Sequence, residues 1–243
     1  MDAMIFAAGL GTRLRPYTDN RPKALVEVGG ITLLEIAIRR LKKAGVQRII
    51  INVHHFADQI LDFLVRNNHF GLEIATSDER AKLLDTGGGL KKAASFFDPN
   101  QPFIVCNADI ISNLDYAAML AAHTHNKAAA TLAVQQRQSS RCLLFDDDDV
   151  LCGWKNNLTH AQRIARETTE PPRQYAFSGI QIVSPSFLAT APEGDVFSMI
   201  DWYLAAAAEG QRVVAWPHPD AWILDVGKPD ALQKAATLLP SLL

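Results

Sequence analysis

IFAAGLGTRLRPYTDNRPKAL, residues Ile5 to Leu25, joins an apolar run to a basic, glycine-bearing loop. Asp2 to Ala8 is apolar enough for a buried strand. It breaks at Gly9-Leu10-Gly11-Thr12-Arg13, where two glycines permit positive φ and close backbone approach. Backbone N–H groups of such a loop form an anion nest, and Arg13, Arg15, Arg21 and Lys23 add more positive charge than a plain strand-to-helix turn requires. The pattern points to phosphate groups as the ligand.

Two other glycine loops are excluded by their spacing. A Walker A loop needs Gly-Lys-Ser/Thr directly ahead of a helix, but Gly11 is followed by Thr12 and Arg13. A dinucleotide fingerprint needs a third glycine where Leu14 stands, and an acidic residue after the second strand where His54 stands.

The rest of the composition bounds the class. A chain of 243 residues, 48% hydrophobic and 21% charged, suits one large α/β domain with a substantial core. The net charge of −2 gives no long-range field for nucleic acid or anionic membrane, so the basic residues act locally on a small ligand. Cys106, Cys142 and Cys152 have no CxxC spacing and read as reduced core thiols. With no signal-peptide pattern and no apolar run of membrane-spanning length, the expected location is the cytoplasm.

Along the chain, Leu33 to Ala44 has a helical apolar period, Arg48 to Val53 is a β-branched strand, Ala57 to Arg66 is an amphipathic helix and Leu72 to Thr76 is a third strand. Such alternation implies a parallel sheet with helices on both faces, and ligands then sit beyond the carboxyl ends of the strands, where the opening loop falls. Three glycines, Gly87 to Gly89, precede a helical segment from Leu90 to Phe97; they read either as uncovered amides for a flat ligand or as a helix lead-in. A fourth strand, Pro102 to Cys106, runs into Asn107-Ala108-Asp109, placing a carboxylate on the same rim. That carboxylate suits either Mg²⁺ or a helix cap. Tyr116 to Lys127 reads as a helix and Ala129 to Gln135 as a strand. Asp146 to Asp149 lacks the alternation of a calcium loop and reads as a solvated hairpin tip between short strands. The polar segment Trp154 to Pro172 fits a flap over a ligand or a surface loop. Ser198 to Glu209 reads as a helix, and Val213 to Trp216 and Trp222 to Val226 as strands. The isolated His218 reads as structural.

Ala7 to Leu14, Pro16, Thr18 and Pro22-Lys23-Ala24-Leu25 resemble the signature of the sugar-phosphate nucleotidyltransferases. Asp109, the Phe177-Ser178-Gly179-Ile180 segment and Asp225 extend that resemblance over nearly the whole chain. It implies a Rossmann-like, three-layer α/β fold with a mostly parallel sheet of the nucleotide-diphospho-sugar transferase type and a small β-rich sugar-binding subregion. One domain, 1–243, is expected, with 1–135 holding the nucleotide and 136–243 supplying the sugar side and the second metal ligand. The resemblance implies an enzyme that joins a nucleoside triphosphate to a sugar 1-phosphate with Mg²⁺ and releases pyrophosphate. Arg13, Lys23, Asp109 and Asp225 are its expected catalytic residues, with Asp109 and Asp225 as metal ligands. Ala8, Gly9, Gly11, Thr12, Arg13 and Lys23, with Thr86, Gly87 and Gly88 packing on the base, would hold the nucleotide. Asn107, Gly153, Glu167 and Gly179 would contact the sugar phosphate. Relatives often carry a Lys after the residue matched by Glu167, where this chain has Thr168; Lys155, Arg166 and Arg173 are the candidate replacements. Short length, the Thr-Gly-Gly-Gly run and the lack of a C-terminal extension resemble the members that use UTP and N-acetylmuramic acid 1-phosphate. The alternatives are a guanylyl- or thymidylyltransferase for mannose, heptose or glucose 1-phosphate, and a silent regulatory subunit that only binds a nucleotide sugar. A monomer or small homo-oligomer with no nucleic-acid or membrane partner is expected.

Overall fold

Continuous apolar runs become strands where both faces of a sheet are covered, and β-branched residues favour that pleated surface. The computed structural model describes residues 1–242. Its strands are β1 (Asp2–Phe6), β2 (Glu27–Val28), β3 (Ile31–Thr32), β4 (Arg48–Val53), β5 (Glu73–Asp78), β6 (Phe103–Asn107), β7 (Ile110–Ser112), β8 (Ala130–Gln135), β9 (Arg141–Phe145), β10 (Leu151–Asn156), β11 (Gln162–Ile164), β12 (Arg173–Val183), β13 (Val213–Pro217) and β14 (Ile223–Asp225). The helices are α1 (Leu33–Lys43), α2 (Ala57–Arg66), α3 (Asp85–Ala93), α4 (Tyr116–His125), α5 (Pro185–Leu188), α6 (Met199–Ala208) and α7 (Pro229–Leu238).

The central sheet runs β5-β4-β1-β6-β12-β8-β13. Its first four strands are parallel, β12 is antiparallel to both β6 and β8, and β13 is parallel to β8. Alternation along each strand divides the core. Ile49 and Ile51 face one layer with Ala3, Ile5, Ile104 and Cys106, covered by α1, α2 and α4. Ile50 faces the other with Met4 and Val105, covered by α3 and α6. Each such buried Ile contributes about 1.5–3 kcal/mol, so a one-residue register slip would expose several at once. The starts of α1, α4 and α6 are capped by side chains: Thr32 accepts from Glu35 N, Asp115 accepts from Ala117 N and Ala118 N, and Ser198 with Asp201 forms a capping box. The cap near Asp109 is therefore Asp115, which leaves Asp109 outside any helix.

Two segments depart from the sequence reading. Trp154 to Pro172 is partly ordered, because β10 continues to Asn156 and pairs antiparallel with β11. The helix expected from Leu90 begins at Asp85, and all three glycines lie inside it, buried. Gly87 N and Gly88 N both donate to Phe197 O, at 2.9 and 3.1 Å, so tertiary contacts stabilise a glycine-rich helix start that propensity disfavours. No helix among the described residues is long and apolar enough to cross a membrane.

Candidate active site

Parallel pairing of β1 with β6, in the register Phe6 to Asn107, brings the opening loop and the end of β6 to one rim. Ala7 N donates to Asn52 Oδ1 at 2.7 Å, which fixes the start of the loop to β4. Gly11 adopts φ +66°, and its carbonyl accepts from Thr18 Oγ1 at 2.9 Å. A Cβ on Gly11 would stand 3.0 Å from both Lys23 Cβ and Thr18 Cγ2, so glycine is required there on two counts. Gly9 has open space where its Cβ would be, and Arg13 is exposed.

Asp109 follows β6 in a tight turn into β7, and β7 pairs antiparallel with β14 so that Asp225 lies opposite Ile110. Val226 N donates to Asp109 O at 2.9 Å, which locks the two aspartate-bearing segments together. Lys23 Nζ forms an ion pair with Asp109 Oδ2, both side chains being only 15% exposed. Asp225 Oδ1 and Arg13 Nη2 flank Gly227, at 2.6 and 3.0 Å from the place a Cβ would occupy, and the missing side chain leaves room for both. A separate small core holds this arrangement. Leu14, Ile111 and Val226, which adjoin Arg13, Asp109 and Asp225 in the chain, are all buried in it with Val28, Ile36 and Leu239.

On the other wall, β12 bulges between Phe177 and Gln181, and Gly179 there has φ +74°. Its Cβ would be 2.9 Å from Asn107 Nδ2 and from Ile110 Cγ1, so the glycine packs directly on Asn107. Thus Lys23, Asn107, Asp109, Gly179 and Asp225, dispersed over two hundred residues, meet at one point. Cys106 lies beneath Asp109, and burial together with that charge pushes its thiol up to about 12, which removes it as a nucleophile.

A cleft opens beside this cluster. One chamber of about 160 Å³ is lined by Phe6, Gly9, Lys23, Thr86, Asn107 and Asp109. A neighbouring chamber of about 350 Å³ shares Phe6, Gly9 and Thr86 and adds Ala8, Asn52, Leu83, Asp85 and Val196. An open groove of about 480 Å³ between Arg21, Phe63 and Arg66 contains none of the converging residues.

Four expected contacts fall elsewhere. Gly87 and Gly88 do not line the cleft; a Cβ on Gly88 would meet Asp195 O at 1.8 Å and one on Gly87 the Phe197 ring at 2.5 Å. These glycines admit the protein's own 195–198 segment rather than a base. Gly153 is likewise explained by packing, since its Cβ would be 2.7 Å from Arg163 O on β11. Glu167 lines a separate depression with Asp146 to Asp148 and Thr168. The cause is Arg166, which pairs with Asp146 and donates to Leu151 O at 3.1 Å, pinning its segment to the β9–β10 turn. Arg173 is committed to the same turn, donating to Asp146 O and Asp147 O at 2.7 and 2.9 Å and facing Asp149 at 3.1 Å. Of the three candidate cations only Lys155 has a side chain with no hydrogen-bond or ion-pair partner among the described residues.

Sequence reasoning passed over Asn52, Glu79, Leu83, Asp85 and Val196. Glu79, 1% exposed, accepts from Asn52 Nδ2 at 2.8 Å and from Leu84 N at 3.2 Å, and a Cβ on Gly89 would crowd it at 2.8 Å. Burial pushes its carboxyl above the usual range, opposed by those two hydrogen bonds. The available signal was an Asn at the end of an all-apolar strand, Ile49-Ile50-Ile51-Asn52, where a buried amide needs partners.

Comparison with known proteins shows similarity in sequence and in fold. Residues 2–143 match the family described as Nucleotidyl transferase. N-acetylmuramate alpha-1-phosphate uridylyltransferase of Caulobacter vibrioides is 33% identical over 94% of this chain and 93% of its own length. The protein of the same name from Neisseria meningitidis serogroup B is 32% identical over 98% of each. Among solved structures, HddC from Yersinia pseudotuberculosis complexed with GMP-PN superposes with a TM-score of 0.77 at 25% identity, over 98% of this chain and 99% of that one.

Proposed function

The chain belongs to the nucleotidyl transferase family and is a sugar-1-phosphate nucleotidyltransferase, and from that premise we propose that it transfers UMP from UTP to N-acetylmuramic acid 1-phosphate with Mg²⁺ as cofactor. The observation that carries this reading is the convergence of Lys23, Asp109, Asp225, Asn107 and Gly179 beside a two-chamber cleft. The assignment of UTP and of the sugar rests on the two full-length relatives and on a base chamber of about 350 Å³.

In this reading the larger chamber takes the base, between the apolar Leu83 and Val196 and the backbone at Ala8, Gly9 and Thr86. Asn52 Oδ1 accepts from Ala7 N and Nδ2 donates to Glu79, which leaves each amide atom one further hydrogen-bonding position, so Asn52, peptide groups and Asp85 at the chamber's edge read the base. Gly9, Gly11, Thr12 and Arg13 wrap the β- and γ-phosphates. Lys23 faces the α-phosphate, and Asn107 with the Gly179 backbone orients the sugar phosphate, with Lys155 the remaining cation on the sugar side. Residues 1–135 supply most of the nucleotide side and 136–243 most of the sugar side, with Val196 crossing to the base chamber and Asn107 to the sugar phosphate.

Family members generally use a divalent metal. Asp109 and Asp225 fit one: they are two hard oxygen donors, one in the turn between β6 and β7 and one on β14 paired with β7, beside a chamber where phosphate oxygens and water would complete an octahedral shell. No third carboxylate, His or Cys joins them among the described residues, which suits Mg²⁺ held jointly with substrate rather than a caged structural ion. Bound there, the ion would neutralise charge on both substrates' phosphates.

A sugar-phosphate oxygen, already anionic, attacks the α-phosphorus in line, a P–O bond to the β-phosphate breaks, and pyrophosphate leaves with the electron pair. No strong general base is needed, so positioning and charge neutralisation carry the rate. Lys23 stabilises charge that grows in the transition state, and on substrate binding it exchanges the Asp109 carboxylate for phosphate oxygen. Pyrophosphate release across four nucleoside triphosphates and a panel of sugar 1-phosphates tests the assignment. UTP with N-acetylmuramic acid 1-phosphate should give the highest kcat/KM, and faster turnover of GTP with mannose 1-phosphate would overturn it.

A further inference from the structure

His218 is 4% exposed on the crossing from β13 to β14, and none of its hydrogen-bond partners is a residue assigned above. Its ring nitrogens have different partners: Nε2 is 3.2 Å from Ser178 Oγ and Nδ1 is 3.4 Å from Gln135 Nε2. Gln135 Nε2 also donates to Ala221 O at 3.1 Å, which orients the amide so that nitrogen, a pure donor, faces the ring. Nδ1 must then accept, the proton sits on Nε2, and Nε2–H donates to Ser178. Burial holds the imidazole neutral by lowering its affinity for a second proton.

Both ends of this chain of hydrogen bonds lead to the site. Ser178 immediately precedes Gly179, whose positive φ makes the bulge that packs on Asn107 and Ile110. Ala221 precedes Trp222, which exchanges two backbone-anchored hydrogen bonds with Asn113, at 2.8 and 3.3 Å, and leads into β14 and Asp225. We propose that His218, through Gln135, is a positioning residue that sets the sugar-phosphate wall at Gly179 against the strand that carries Asp225. The inference rests on the reading of Gly179 and Asp225 given above and adds what holds them in register. The two segments do not pair directly as strands among the described residues; they share β7, whose Ile110 lies opposite Asp225 and against Gly179, and the hydrogen bonds of His218 and Gln135 add a second tie between them.

His218→Leu removes both limbs, His218→Gln retains a donor near the Nε2 position for Ser178, and His218→Asn retains an acceptor near Nδ1 for Gln135. Steady-state kinetics with each substrate varied should show KM for the sugar 1-phosphate raised on the order of tenfold and kcat lowered in His218→Leu, with KM for the triphosphate within about twofold of the parent. The Gln and Asn variants should each recover part of the loss. Should His218→Leu not be recovered folded, Gln135→Leu carries the same expectation. Equal changes in both KM values, or parental constants in His218→Leu while Gly179→Ala and Asp225→Asn are impaired, would overturn the inference alone. Parental kinetics in Gly179→Ala and Asp225→Asn would overturn the underlying site reading and the inference with it.

Discussion

Replacing Gly88 by Ala separates two reasons a glycine can stand beside a nucleotide cleft. The added methyl would lie 1.8 Å from Asp195 O and 3.1 Å from Leu84 Cβ, and the first neighbour is backbone that cannot swing away. Either the 195–198 segment moves off α3 or the helix start shifts, and both break the hydrogen bonds from Gly87 N and Gly88 N to Phe197 O. Overpacking of this kind costs about 1–3 kcal/mol, and two lost backbone hydrogen bonds add about 1 kcal/mol each. The better helix propensity of Ala offsets about 1 kcal/mol of that, leaving a net loss of about 2–4 kcal/mol. At roughly 2–4 °C per kcal/mol for a domain of this size, the Tm should fall by about 4–16 °C. The assay is thermal unfolding of the nucleotide-free protein by circular dichroism, with Gly9→Ala, which meets nothing within 4 Å, as the comparison expected to melt with the parent. If Gly88→Ala melts with the parent yet loses nucleotide affinity, the glycine serves the ligand and the packing argument is refuted.

Asp109→Asn and Asp225→Asn should each lower Mg²⁺-dependent kcat by several kcal/mol of barrier, roughly a hundredfold or more, without lowering Tm; near-parental kcat in either would remove that residue from the metal site. Lys23→Ala should lower kcat and kcat/KM together with a smaller change in KM for the triphosphate, whereas a raised KM at unchanged kcat would mark it as a ground-state contact. His123 is buried between Thr131 and Ser184, and burial holds its pKa at about 4, below the ordinary 6.5. Because the folded value is the lower one, the stability is intact above pH 6.5 and falls as pH drops towards 4, by about 3 kcal/mol in all. Chemical denaturation across that range should show the slope in the parent and a flatter profile in His123→Gln; equal slopes would acquit this histidine.

What was legible in the chain is what is local. The opening loop announces itself because its glycines, arginines and Lys23 sit at fixed covalent spacing, and the β-α-β alternation follows from periodicity within each element. Asp109 was legible as a carboxylate ending a buried strand, although only the structure shows that Asp115 takes the capping role. Asp225 was reachable only through resemblance, since its place beside Asp109 depends on β7 pairing with a strand more than a hundred residues away. The full extent of β12 was not legible: its polar residues and the bulge at Gly179 interrupt the strand pattern, and its three partners come from distant segments. Gly87 and Gly88 misled because close approach by a ligand and close approach by the chain itself demand the same residue. The ties of the acidic turn were not legible: it was read as solvated, whereas Asp146 and Asp149 hold Arg166 and Arg173, and Glu167 lies beside that turn.

In the proposed reaction a sugar-phosphate oxygen attacks the α-phosphorus of UTP at a site built around Lys23, Asp109 and Asp225. Phosphorus NMR of a reaction containing UTP, Mg²⁺ and N-acetylmuramic acid 1-phosphate bearing heavy oxygen at its non-bridging phosphate positions tests this most directly. The expected result is a nucleotide sugar whose phosphate–phosphate bridge carries the heavy isotope, an equal amount of unlabelled pyrophosphate, and neither product with Asp225→Asn. Label in the pyrophosphate, release of orthophosphate instead, or undiminished product from Asp225→Asn would contradict it.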